Sequence, residues 1–134
     1  MADFDKVAPG INTVALEEAT LLGVPLLTEG IPAAVGEKSE ALKRLQQNLS
    51  KVGVHNSLFL LKNSLLLPKL LYTLRATPTW TCLGALAQFD DIQRKILEET
   101  LNINLTERAW TQATLPVKQG GLGVRIAADI AIPA

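Results

Sequence analysis

A chain of 134 residues is one domain in length, and with 48% hydrophobic but only 4% aromatic residues any core it builds is aliphatic. A formal net charge of +0 removes bulk charge as an argument for a polyanionic or membrane partner. The single Cys82 excludes an internal disulfide and a cysteine-based zinc cluster, and the lone His55 has no companions for a transition-metal or Ser/His/Asp site.

In chain order, Met1-Ala2-Asp3-Phe4-Asp5 is acidic and polar rather than a secretory signal, which points to an intracellular protein, nuclear or cytoplasmic. Residues 1–35 form a lead unlike the rest. Ala8-Pro9-Gly10 is loop material, and the apolar stretch 14–27 contains Gly23 and Pro25, which favour short extended pieces around a turn. Gly30 and Pro32 mark residues 28–35 as a second loop, and the whole lead reads as the end of a preceding domain.

From Gly36 the pattern turns helical. Ala41, Leu42, Leu45 and Leu49 recur at three- and four-residue steps, with Ser39 as N-cap and Gly53 as terminator, giving a helix over about 37–52. A second helix is predicted over 55–76, with Leu58, Leu61, Leu65, Leu70 and Leu74 in the core. His55 stands at its start. Pro68 lies well inside it and should bend it by more than about 20° while helix continues on both sides. Lys62, Asn63, Pro68 and Lys69 interrupt its apolar run, so it reads as a buried helix and not a membrane span. Thr77-Pro78 closes it.

The third helix, over 81–101, is capped by Thr81 or Thr79 and has Leu83, Leu86, Phe89, Ile92, Ile96 and Leu97 as its apolar stripe. A short fourth helix spans 106–114. Gly120-Gly121-Leu122-Gly123 lacks the spacing of a dinucleotide or Walker loop and reads as a tight turn with positive φ. An apolar fifth helix then runs over 125–134 to the end of the chain. The expected fold is all-α, with four to five helices behind a partly extended lead. The unpartnered apolar faces of 14–27 and 125–132 suggest a truncated helical domain, 36–134, that self-associates.

Little in this pattern promises chemistry. Asp90-Asp91 and Glu98-Glu99 fall in an amphipathic helix, where neighbours point about 100° apart, and read as solvated-face carboxylates. Cys82 reads as buried filler. No cofactor or metal site is expected. Charge is distributed more tellingly: residues 38–75 carry seven cationic side chains against the single Glu40, a local +6 that leaves −6 elsewhere. Within that segment Lys62, Lys69 and Arg75 are spaced near two helical turns and form a broad basic stripe, an arrangement that tracks a phosphate backbone without reading sequence.

The text around that stripe, Leu67-Pro68-Lys69-Leu70-Leu71-Tyr72, resembles the helix after the palm of non-LTR (LINE-type) retrotransposon reverse transcriptases. Phe89-Asp90 with Arg94-Lys95-Ile96-Leu97 looks like the helix that follows there. The stretch Leu115-Pro116-Val117-Lys118-Gln119-Gly120-Gly121-Leu122-Gly123 is similar to a segment beyond it. Leu21-Leu22-Gly23-Val24-Pro25 looks like the Leu-Gly hairpin near the primer grip. The resemblance covers roughly residues 20–130.

The resemblance implies the thumb and connector of an RNA-directed DNA polymerase. Lys62, Lys69 and Arg75 would then contact the phosphates of an RNA–DNA or RNA template–primer, and Leu22, Gly23 and Val24 would lie near the primer terminus. The palm would be a missing partner domain. The aromatic-x-Asp-Asp signature, the zinc-knuckle cysteines and the endonuclease motifs of the family are absent, because Phe89 is followed directly by Asp90-Asp91. A non-catalytic, nucleic-acid-binding fragment is therefore expected. A helical protein-interaction module and a decayed open reading frame without selected function remain the alternatives.

Overall fold

The computed structural model describes residues 9–132 apart from Asn12; residues 1–8 of the lead and the last two residues of the expected fifth helix lie outside the described residues. Helices make up 69% of the structure, and the β pairing described is one two-residue hairpin, so the fold is all-α with a short extended lead.

That lead begins with a 3-10 turn at Leu16–Glu18, then β1 (Thr20–Leu21) and β2 (Val24–Pro25) pair antiparallel in the register Thr20↔Pro25 and Leu21↔Val24. Leu22 (φ 54) and Gly23 (φ 78) both take positive φ, the pattern of a type I′ hairpin turn that matches the twist of its strands. Glycine adopts it freely; leucine there costs on the order of 1 kcal/mol. The hairpin buries Val24 and Pro25 and leaves Leu21, Leu22 and Leu26 exposed.

Helix α1 (Ile31–Leu49) starts six residues before its expected boundary. Pro32 is not loop material. It stands in the first turn of the helix, where its missing N–H has no partner to lose. Ile31, Val35, Ser39, Leu42 and Leu49 make the buried stripe, so Ser39 is not an N-cap; inside the helix its hydroxyl donates to the Val35 carbonyl at 3.0 Å. Beyond Gly53, Ser57 reaches back to the Leu49 carbonyl at 3.1 Å and ties the turn between the first two helices.

The long second helix does not form in one piece. Helix α2 (Val54–Leu60) passes into a π turn (Leu61–Leu65), Leu66 departs from helical geometry with ψ −116°, and α3 (Leu67–Ala76) starts afresh. Pro68 therefore does not kink a continuous helix but sits in the first turn of a new one. The cause is its lack of a donor and its clash with the carbonyl four residues back, which end the helix before it. Leu66 N–H donates to Leu61 O at 2.9 Å across five residues, so the wide turn absorbs the misfit. The break also resets the core face: Leu61, Leu70 and Leu74 are buried as the spacing requires, Leu58 and Leu65 only partly, and Leu66 and Leu67 join the interior. Thr77 is extended, as the residue before Pro78 must be.

A 3-10 turn at Thr79–Cys82 leads into α4 (Leu83–Leu101). Neither threonine caps this helix; the Thr81 hydroxyl donates to the Pro78 carbonyl instead. Leu86, Phe89, Ile96 and Leu97 are buried, Ile92 is half-buried, and Leu83 points outward. The two 19-residue helices, α1 and α4, form the principal pairing of the fold. Asn102 closes α4 in the left-handed conformation, with Ile103 N–H returning to Glu98 O at 3.0 Å, a Schellman-type stop. Arg94 then pins the following loop: it bonds Glu107 at 2.6 Å, donates to the Leu105 carbonyl and lies 5.9 Å from the Trp110 ring.

Helix α5 (Glu107–Thr114) is capped by Thr106, whose hydroxyl oxygen accepts from Ala109 N–H at 3.2 Å. The chain then folds back on the end of α5, with Leu122 and Val124 N–H both directed at Ala113 O at 3.2 Å. Gly120 (φ 81) and Gly123 (φ 70) have the positive φ expected of that turn. Gly121 serves a different end, since a Cβ there would lie 2.0 Å from Leu115 O. The fifth helix is shorter than expected, α6 (Ala127–Ile130), and its apolar face is covered: Ala127 and Ala131 are fully buried where it packs on α4 and α3.

Candidate nucleic-acid interface

The break at Leu66 decides how the three candidate phosphate contacts are displayed. Lys62 belongs to the π turn, whereas Lys69 and Arg75 occupy the first and last turns of α3. A single 100° helical wheel therefore does not relate Lys62 to the other two, and the expected continuous stripe is interrupted. Lys69 and Arg75 are exposed; Lys62 is half-buried, with its stem laid over Gly123 so that a Cβ at that glycine would lie 3.0 Å from Nζ. Among the described residues none of the three is in a salt bridge, while Lys43 and Arg94 are both paired with glutamates.

Lys62 stands on the wall of a cleft of about 470 Å³ between the π turn, the start of α3 and the returning segment after α5. Arg125, exposed, lines the same cleft. Gln93 from α4 also lines it, although its side chain is fully buried. Its Nε2 donates to the Arg125 carbonyl at 2.9 Å, and its Oε1 has no partner in the protein. The amide orientation is dictated by that carbonyl, which accepts and cannot donate.

The residues Leu22, Gly23 and Val24 are placed on the hairpin of the lead. Leu22 is at its tip, 84% exposed in a strained backbone conformation, while Val24 points inward.

Two polar residues of α4 overturn the solvated-face reading of its acids. Asp90 is buried, and its carboxylate caps the last helix, accepting from Ala127 N–H at 2.7 Å and Ala128 N–H at 3.2 Å. Removal from water raises its pKa to about 6 against the pull of those two N–H groups, with Asp129 and Asp91 adding to the rise. Glu98, half-buried, accepts from Leu105 N–H at 2.8 Å; Asp91 and Glu99 are exposed as expected. The missed signal was spacing. Residues 86, 90, 93 and 97 follow a four-three-four step, so Asp90 and Gln93 stand on the same face as Leu86 and Leu97.

Cys82 is half-buried and packs against the core. Among the described residues no group of three or more His, Cys, Asp or Glu is gathered to hold a metal ion, and no helix is long and apolar enough to cross a membrane. Comparison of the chain with protein-family models, with curated proteins and with solved structures returns no match.

Proposed function

We propose that this chain is a non-catalytic helical module that holds nucleic acid by its backbone, the role of a thumb and connector in a retrotransposon-type reverse transcriptase. The observation that carries the proposal is the set of cations around the helix break. Lys62, Lys69 and Arg75 have no salt-bridge partner among the described residues, and they belong to the segment with a net excess of +6. Cations left unpaired by their own fold are available to phosphates, and contacts of that kind are indifferent to sequence. In this reading the exposed tip at Leu22-Gly23 faces the primer end of a template–primer duplex, and a palm domain supplies the chemistry.

Binding to an RNA–DNA duplex, measured at low salt where counterion release is greatest, tests the proposal. Lys69→Ala should weaken binding and reduce the slope of log K against log salt by about one unit, with no change in sequence preference. Undetectable duplex binding at low salt, or a Lys62/Lys69/Arg75 triple alanine variant that binds like the parent, overturns it. One observation favours a second reading as a protein-docking helix bundle: Phe59, Tyr72, Trp80 and Leu83 are all exposed. A docking surface of that kind predicts no duplex binding even at low salt, so the same titration separates the two.

A further inference from the structure

Helix α3 has two faces of opposite character. Leu67, Leu70 and Leu74 are buried on one, and Lys69, Tyr72 and Arg75 stand exposed on the other. At about 100° per residue Tyr72 lies midway between the two cations, about 60° round from each. Residues three apart on a helix bring their Cβ atoms within about 5–6 Å, so one aromatic ring is flanked by two positive charges. The residues four before and four after it, Pro68 and Ala76, are short and leave the ring without a tall neighbour along the helix. The helix contains no carboxylate.

The fold leaves this face open. Tyr72 is 54% exposed. Among the described residues the cation found over an aromatic ring is Arg94 on Trp110, so neither Lys69 nor Arg75 lies across the Tyr72 ring. Neither is in a salt bridge among those residues, whereas Arg94 is held by Glu98 and Glu107. An uncovered ring between two unpaired cations complements a ligand that alternates flat apolar surfaces with negative charges. A nucleic-acid strand has that alternation, and its base faces are open where it is unpaired, because in a duplex the neighbouring base pairs cover them.

We propose that the outer face of α3 binds an unpaired nucleic-acid strand, with one base stacked on Tyr72 and the phosphates on either side held by Lys69 and Arg75. The two cations are six residues apart, about 9 Å along the axis, and their long side chains let them close on successive phosphates. Every base has a flat face, so such a site carries little sequence preference. The proposal deepens the nucleic-acid reading above and rests on it for Lys69 and Arg75. It adds a role for Tyr72, which phosphate contacts alone do not need. Duplex phosphates can meet the same two cations, but the ring contributes only when the strand is single.

The test uses the whole chain at low salt with three ligands of equal length: a thymidine oligonucleotide, the same sugar–phosphate backbone without bases, and an RNA–DNA duplex. The oligonucleotide should bind about tenfold tighter than the baseless backbone, which carries the same charge. Tyr72→Ala should remove that difference, and Tyr72→Phe, which keeps the flat ring, should retain it. Neither variant should alter duplex binding. Resonances of the Tyr72 ring should shift with the oligonucleotide and not with the baseless backbone.

The proposal is overturned if the thymidine strand does not bind, or if the baseless backbone binds as tightly. It is equally overturned if Tyr72→Ala binds the strand as the parent does, or if Tyr72→Phe loses it as Tyr72→Ala does. Equal binding of all three ligands, weakened throughout by Lys69→Ala, removes the stacking site and leaves the backbone reading. A Tyr72-dependent preference for the thymidine strand with no duplex binding removes the duplex reading alone.

Discussion

The two ends of the described chain are both made of short elements laid against long helices, yet they are secured differently. The C-terminal return is sewn in by buried polar groups from α4. Asp90 takes the first two amides of α6, and Gln93 takes the Arg125 carbonyl. The lead makes its own backbone hydrogen bonds, such as Leu26 N–H to Ala19 O at 2.9 Å, and exposes Val14, Leu16, Leu21, Leu22 and Leu26. Each end has a glycine under pressure, but in different degree. A Cβ at Gly121 would meet Leu115 O at 2.0 Å and Gln112 O at 2.6 Å, whereas one at Gly30 would meet Glu17 O and Pro25 Cβ at 2.9 Å. Buried polar groups reaching from α4 tie the C-terminal return into the cooperative unit, whereas the lead relies on hydrogen bonds within itself and on the few residues, Val24, Pro25 and Gly30, that it packs inward.

The sharpest break of that contrast is Gly121→Ala. Two backbone carbonyls cannot yield as a flexible side chain would, so the substitution should destabilise by about 3 kcal/mol or more in chemical denaturation. Gly30→Ala meets one backbone carbonyl and a proline Cβ at 2.9 Å, a milder clash, and should cost about 1–2 kcal/mol. Equal effects at the two glycines would show that the ends are equally integrated.

Asp90→Ala is next in size. It strands one buried and one half-buried amide and should cost about 2 kcal/mol, with amide exchange quickening at Ala127 and Ala128 before the rest of the fold. The same carboxyl sets a pH dependence. Its folded pKa, about 6, lies above its ordinary value of 3.8, so the folded state binds the proton more tightly than the unfolded one. Its contribution to stability is therefore full below about pH 4 and lost as pH rises through about 6. The denaturation midpoint should fall between those values in the parent relative to Asp90→Asn; parallel profiles would remove Asp90 from this role.

The smallest effect is expected at the hairpin. Leu22→Asn gives the turn the Asn-Gly pair that a type I′ geometry favours and relieves leucine of a left-handed conformation. Slower exchange of the hairpin amides, with a gain of about 0.5–1 kcal/mol that is local to the lead, would confirm that this end is held by its turn. A gain spread over the α1 and α4 core would contradict it.

Local pattern made much of the fold legible. The four-residue steps of α1, the extended Thr77 before Pro78, the Thr106 cap and the hairpin around Leu22-Gly23 all follow from rules that act within a few residues. The two prolines were harder. Pro32 in an apparent loop and Pro68 in an apparent helix have the same role, the first turn of a helix, because that is where a missing donor and a fixed φ cost nothing. Periodicity ran straight across residue 66 because Leu65, Leu66 and Leu67 are consecutive, and three leucines in a row cannot reveal a change of phase.

Neighbouring residues alone establish that the chain is mainly helical, where the turns demand glycine and which segment gathers the cations, since backbone sterics, side-chain spacing and charge act over a few residues. Long-range packing, by contrast, sets Asp90 and Gln93 inward onto a segment more than thirty residues away and brings Lys62 and Arg125 to one cleft. Carboxylates and amides on a helix read alike whether water or another helix faces them. That choice is made by packing, when α4 presents one face to the returning chain.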